Sequence, residues 1–466
     1  MKKILHVISI ELIINKILPL ILFSALLGII VPFSFLNAQG STDKSEFDED
    51  NLPPQVRFIR AYGLDNERFP PIILINNGNM RYKPVVGYEY ITIEFDIAAS
   101  VPPALTAKFV HCTYDWKESE NIFLRDLIYN RTTIFDFTAA PIGQNFYSYK
   151  VKLRVPNEQV KFKFSGNWKV KIYDMNDEKE AIAETRFFVV EPRAVCRVGM
   201  FPEFYNPDFN VSTTGLVVEG VVASNLNLVE SNVNRAVLYK NHRWFEPYVI
   251  SSSYSDEETL QYRYSYATTV SGFVSVGKRF RIEGLPAENS YRIINLADLA
   301  YYPMSNQAVR KPFSDLRRDG NFFYADDDGA MITNYVPYGY EDYVYVEFIL
   351  DPEGHISRDD VFVVGSFNNW KPDAKWKMFY DEKNRYYKLR QWVPRARHNY
   401  MFASGKLNID NLQVERYSYD EFEGNTTAGH QTYIMFIYYH EFDYGGFDSI
   451  IAVDAANIAG QVLRYR

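Results

Sequence analysis

The chain has 466 residues, of which 47% are hydrophobic and 23% charged, with a formal net charge of −8. That balance supports a folded body rather than a disordered tail. An acidic chain without a long run of Lys or Arg also excludes a nucleic-acid-binding role. Aromatic residues reach 16%, and they are spread along the whole chain. This fits many half-buried strands better than one dedicated binding face.

The N-terminus reads as an export address. Lys2 and Lys3 precede an apolar run from Ile17 to Phe35, and Ala38 stands before Gln39 as a small residue suited to cleavage. Residues 1–38 are therefore a predicted signal peptide. The run is also long enough to cross a bilayer, so an uncleaved anchor is the alternative. No cysteine lies near the cut, which excludes a lipid anchor there. A polar, acidic linker, residues 39–54, follows.

Beyond it, period-two alternation dominates. In the stretch from Glu89 to Ala98, Ile91, Ile93, Phe95 and Ile97 share one face, and Tyr90, Thr92, Glu94 and Asp96 share the other. The run Tyr147 to Pro156 alternates likewise. The run Val160 to Asp174 reads as two strands joined in a hairpin at Ser165, Gly166 and Asn167. Strand texture returns at 341–350, 360–367 and 430–439, with no sustained helical period. The prediction is an all-β chain of tandem Ig-like β-sandwich domains. Breaks near Pro192 and at the turn-rich 334–342 divide it into an N-terminal sandwich (55–191), a middle sandwich (193–334) and a C-terminal sandwich (340–466).

Chemistry-bearing constellations are not found. The seven histidines are scattered, and none pairs at metal-ligand spacing. His111 and Cys112 are neighbours on a predicted strand and so face opposite ways, which prevents direct activation of the thiol. Asp326, Asp327 and Asp328 are consecutive before Gly329, a hairpin turn rather than an alternating calcium loop. Cys112 and Cys196 are expected to be buried free thiols, with a bridge between them left open. No catalytic, cofactor-binding or metal-binding residue is assigned.

One segment has a familiar frame. Gly365, Phe367, Asn368 and Trp370 form a Gly-x-Phe-Asn-x-Trp turn, and this region resembles the glycogen-binding modules of starch-branching enzymes and kinase β subunits. The resemblance implies an E-set-like β-sandwich. In such modules flat rings and a lysine hold glucan, but Met401 stands here at the lysine position and Leu407 at that of the second tryptophan. Only Trp370 remains, expected to pack the β-sandwich or contact a protein partner, with residual carbohydrate contact the alternative unless Trp376 or Trp392 substitutes. An exported carbohydrate-binding protein is thus the alternative reading.

A second resemblance covers nearly the whole mature chain. His111-Cys112 followed by Trp116, the strand ending Pro156-Asn157-Glu158, the Ser165-Gly166-Asn167 turn and the strand Arg186 to Glu191 are similar to the first domain of the type IX secretion plug protein family of Bacteroidota. The passages 238–244, 280–286 and 326–332 fit its middle domain, and 365–370 with 378–390 its last. The resemblance implies a non-catalytic periplasmic protein, peripheral to the outer membrane and without a cofactor. Its partner would be the outer-membrane β-barrel translocon, together with other secretion-system components.

Overall fold

The computed structural model describes residues 54–457, apart from 77–83, 127, 144–145, 204–214, 252–265, 319–327, 427–428 and 430–431. The predicted signal peptide and the acidic linker, except for Pro54, lie outside the described residues, as do Asp326 and Asp327. The chain from Asp50 onward forms one compact unit. It is all-β, with its strands in six mostly antiparallel sheets.

The first sandwich pairs two sheets. One orders the strands Gln55–Gly63, Ile91–Ala98, Tyr149–Val155 and Asp136–Ala139. The other orders Ile72–Leu74, Ala183–Val190, Gly166–Asp174, Leu105–Cys112 and Arg131–Thr132. Ile91, Ile93, Phe95 and Ile97 meet Phe109, Trp168, Val170 and Phe187 in the core between them. The predicted alternation places these side chains correctly. The opposite face of the same strand is not wet, however: Thr92, Glu94 and Asp96 are buried too. Glu94 accepts from Arg60, and Asp96 accepts from the Tyr343 hydroxyl at 2.9 Å. Polar alternation here marks a partner surface within the protein rather than solvent.

The predicted hairpin at 165–167 is not formed. Residues 156–165 run without regular strand, and Gly166 opens the strand Gly166–Asp174, which pairs with Leu105–Cys112 and Ala183–Val190 instead. Val160 and Phe162 still point into the first core. Alternation reported burial there, but the backbone partners come from elsewhere.

The second sandwich packs the sheet Val195–Glu203, Gly215–Ala223, Lys278–Pro286 and Ala267–Ser271 against the sheet Tyr248–Ser251, Arg235–Lys240, Thr432–Glu441 and Phe447–Asn457. That second sheet also packs its outer face on the first sandwich. Phe188 and Phe436 stack there with centroids 4.1 Å apart, among Cys112, Trp116, Tyr239 and Val453. The two sandwiches therefore form a four-layer stack with three apolar interlayers. Backbone bonds seal it, from Glu191 N–H to Ile450 C=O (3.0 Å) and from Arg193 N–H to Ile451 C=O (2.8 Å).

The third sandwich combines Arg292–Asn295, Arg397–Leu407 and Asp360–Gly365, with Val414–Ser418 beside Arg397–Leu407, and a sheet built on Tyr343–Asp351 and Tyr386–Pro394. Sheet membership crosses the expected 334/340 division in both directions. Arg292–Asn295, Val309–Arg310 and Asp315–Leu316 pair with later strands, whereas Thr432–Glu441 and Phe447–Asn457 complete the middle sandwich. Both cysteines are free and buried, and burial pushes the Cys112 thiol up to about 12.

Candidate functional site

Each residue of the turn that resembles a sugar-binding module has a task inside the fold. Phe367 stacks on Trp376 at 4.6 Å in the third core. The Asn368 side chain accepts from Gly365 N–H (2.9 Å) and donates to the Val363 carbonyl (3.1 Å). Asn369, left-handed at φ 53°, donates to the Ile59 carbonyl of the first sandwich at 2.9 Å. The Trp370 indole donates to the Gly329 carbonyl at 2.8 Å and is 1% exposed.

Trp370 packs inside the fold, one of the two roles expected for it, and the other is corrected: it has no face to offer a sugar or an external partner. Met401 is fully buried beside it, and Leu407 packs against the same cluster with Tyr291 and Tyr417. The face that would hold glucan in the resembling modules is an internal interface here. Trp376 is buried, and Trp392 stacks with both Phe146 (5.2 Å) and Tyr345 (5.1 Å). Neither presents a free ring.

What covers that face is charged. Arg243, wholly buried, sets its guanidinium 4.6 Å from the Trp370 ring and 4.4 Å from that of Tyr419. Its Nη1 lies 2.8 Å from Glu288 and 3.3 Å from Glu246, and Lys240 Nζ reaches Glu288 at 2.8 Å. The Tyr419 hydroxyl donates to Glu246 at 2.7 Å. Two cations and two carboxylates thus share one buried site. Burial draws the Lys240 ammonium down to about 8, and burial with the nearby Glu288 raises the Glu246 carboxyl. Burial would raise Glu288 as well, but Arg243 and Lys240 hold it below its usual range.

A second charged seam joins the first sandwich to this region. Arg60 donates to Glu94 and Glu67 (2.6 Å each) and to the Met331 carbonyl (2.8 Å), while Glu67 accepts from Thr333 N–H at 2.7 Å. Beside it, His242 donates from Nε2 to the Arg68 carbonyl (3.2 Å), and His398 donates to the Pro394 carbonyl (2.7 Å) while accepting from Ser366 (3.0 Å). Burial holds both imidazoles down near 4, and His111 likewise, so all three are neutral. His111 faces Trp168 and Phe447 while Cys112 enters the apolar interlayer, on opposite faces as predicted.

Gly329, at φ +94°, follows Asp328, whose carboxylate accepts from Asn241 at 2.9 Å. No cluster of three metal-ligating side chains occurs among the described residues. Next to the Trp370 turn an open groove of ≈ 740 Å³ runs between the strand Val414–Ser418, Lys371 to Asp373, Arg186 and Trp116. Sequence reading missed both Arg186 and Arg243. The only signal was a basic residue set among aromatics in 185–188 and 242–245.

The fold defines a rigid, all-β, multi-sandwich protein whose sandwiches are locked by buried sheet faces and ionic seams. Residues 71–191 match the family described as the type 9 secretion system plug protein 1st domain. The chain carries that domain, which bears out the resemblance read from its first domain and suggests involvement in type IX secretion. No curated protein matches the chain. A crystal structure of a hypothetical protein from Parabacteroides merdae ATCC 43184 is similar in fold, with a TM-score of 0.67 and 21% identity over 86% of this chain and 97% of that one.

Proposed function

We propose that this chain is a non-catalytic periplasmic protein that associates with the outer-membrane β-barrel translocon of the type IX secretion system and blocks its periplasmic mouth. The observation that carries the reading is the plug-domain match over residues 71–191. Rigidity supports it. Blocking a pore asks for a body that resists deformation, and the four-layer stack with its fused third sandwich supplies one. Exposed apolar side chains on one edge suit protein contact. Ile122 and Phe123 lie beside Phe442 and Tyr444, and Asn121 braces the two loops by donating to the Tyr444 (2.5 Å) and Gly446 (3.0 Å) carbonyls. The alternative of glucan binding has no exposed Trp370 to use.

The test is purification of the tagged chain from envelopes of a host with the secretion system, in mild detergent. Recovery with a large outer-membrane β-barrel is expected. Recovery without any barrel overturns the reading.

A further inference from the structure

The groove beside the Trp370 turn contains an unusual cation. Arg186 lies in the strand Ala183–Val190, with its guanidinium between two rings, 4.6 Å from Trp116 and 4.2 Å from Phe245. One nitrogen donates to the Trp244 carbonyl at 3.1 Å, and its Nε is buried without any partner. No carboxylate forms an ion pair with it among the described residues. A cation set into a protein surface without an anion is costly, and burial pulls its pKa down accordingly.

Three further cations line the same groove, Lys371, Lys406 and Arg416, all exposed and all without an ion-pair partner among the described residues. Three carboxylates line it as well: Asp115 is neutralised by Lys117 at 2.7 Å, while Asp373 and Glu415 keep their charge and accept from Lys375 N–H and Asn408. Four cations against those two carboxylates leave a local positive excess in a chain of net charge −8.

We propose that this groove binds an acidic segment of a partner polypeptide, one carboxylate pairing with Arg186 and others with Lys371, Lys406 and Arg416. The planar guanidinium is fixed between rings, its Nε buried and one Nη held by the Trp244 carbonyl, so a carboxylate would meet it through the remaining Nη. The volume of ≈ 740 Å³ exceeds what a small anion needs. Its walls alternate cations with Trp116, Phe245 and Leu412, which fits mixed acidic and apolar side chains better than a uniform polyphosphate. The inference does not depend on the secretion role, since it concerns the isolated protein.

Fluorescence anisotropy with a labelled peptide of alternating glutamate and leucine tests it on the full mature chain. Binding that weakens with salt is expected, with loss for the glutamine analogue of the peptide. Arg186→Gln should weaken binding about tenfold or more, and Arg186→Lys less. Should Arg186→Gln disturb folding, the exposed pair Lys371→Glu with Lys406→Glu should still weaken it about tenfold. The proposal is overturned by no binding to the wild-type chain, by equal binding of the neutral peptide, or by unaltered affinity in the double variant. Tripolyphosphate displacing the peptide equally well from wild type and Arg186→Gln would also overturn it, in favour of a general anion patch.

Discussion

The two junctions that hold the sandwiches together are built from opposite materials. Between the first and second sandwiches the contact is ring on ring, with Phe188 on Phe436 and Trp116, Tyr239 and Trp244 around them. Between these and the third sandwich it is polar: Arg243, paired with Glu246 and Glu288 beside it, sets its guanidinium on the Trp370 and Tyr419 rings while Tyr419 donates to Glu246, and Arg60, paired with Glu67 and Glu94, donates to the Met331 carbonyl. Apolar packing is non-directional and tolerates repacking of similar volume. A buried ionic site holds only when every member is present, because a missing partner strands a charge. The first junction fixes that the sheets stack, and the second fixes how the third sandwich is oriented on them.

The largest expected effect is at the polar junction. Arg243→Leu leaves two buried carboxylates with Lys240 alone and should cost about 3–5 kcal/mol in urea unfolding. A loss below about 1 kcal/mol would show that the cluster is not a closed set.

Acid should act next. His398 has a folded pKa near 4 against an ordinary 6.5, so the unfolded chain binds the extra proton first as pH falls. The stability tied to its neutral form is complete above about pH 6.5, declines as pH falls from there to about 4 and levels off below, by about 3 kcal/mol in all. His242 on the polar side and His111 by the aromatic side add the same sign. In His398→Gln the difference between urea midpoints at neutral and acid pH should shrink; an unaltered difference would remove His398 from the account.

Phe188→Leu, by contrast, should cost only about 1–1.5 kcal/mol, since the apolar interlayer can close around a smaller side chain. If it equalled Arg243→Leu, the contrast between the junctions would fail. The smallest effect is Asn369→Ala, about 1 kcal/mol from the lost bond to the Ile59 carbonyl and the left-handed backbone at φ 53°. Thermal unfolding that left its melting temperature unchanged would show that this bond between sandwiches is idle.

Much of this was legible in the sequence. Alternation from Ile91 to Ile97 located a core strand, and the Gly365-to-Trp370 turn located the third sandwich. Alternation says which residues share a face but not what lies across from that face. It put Glu94 and Asp96 opposite the isoleucines but could not show that Arg60 and Tyr343 cover them. The same limit hid the fate of 160–165, where buried alternating side chains accompany a backbone with no strand partner. Arg186 and Arg243 draw their meaning from rings and carboxylates distant in sequence, so no local pattern announces them. Packing and contact both stayed open for Trp370 because surface aromatics and internal ones look alike until their neighbours are known.

The placement of Thr432–Glu441 has a consequence for how the molecule is completed. Arg235 pairs with Tyr438, so a central strand of the second sandwich waits for the last part of the chain to be made. Until those residues emerge, the strand Arg235–Lys240 has an open edge and the first sandwich's aromatic outer face is uncovered. A chain made from its N-terminus spends that interval as an unfinished sheet, and the strands Thr432–Glu441 and Phe447–Asn457 act as the bolt.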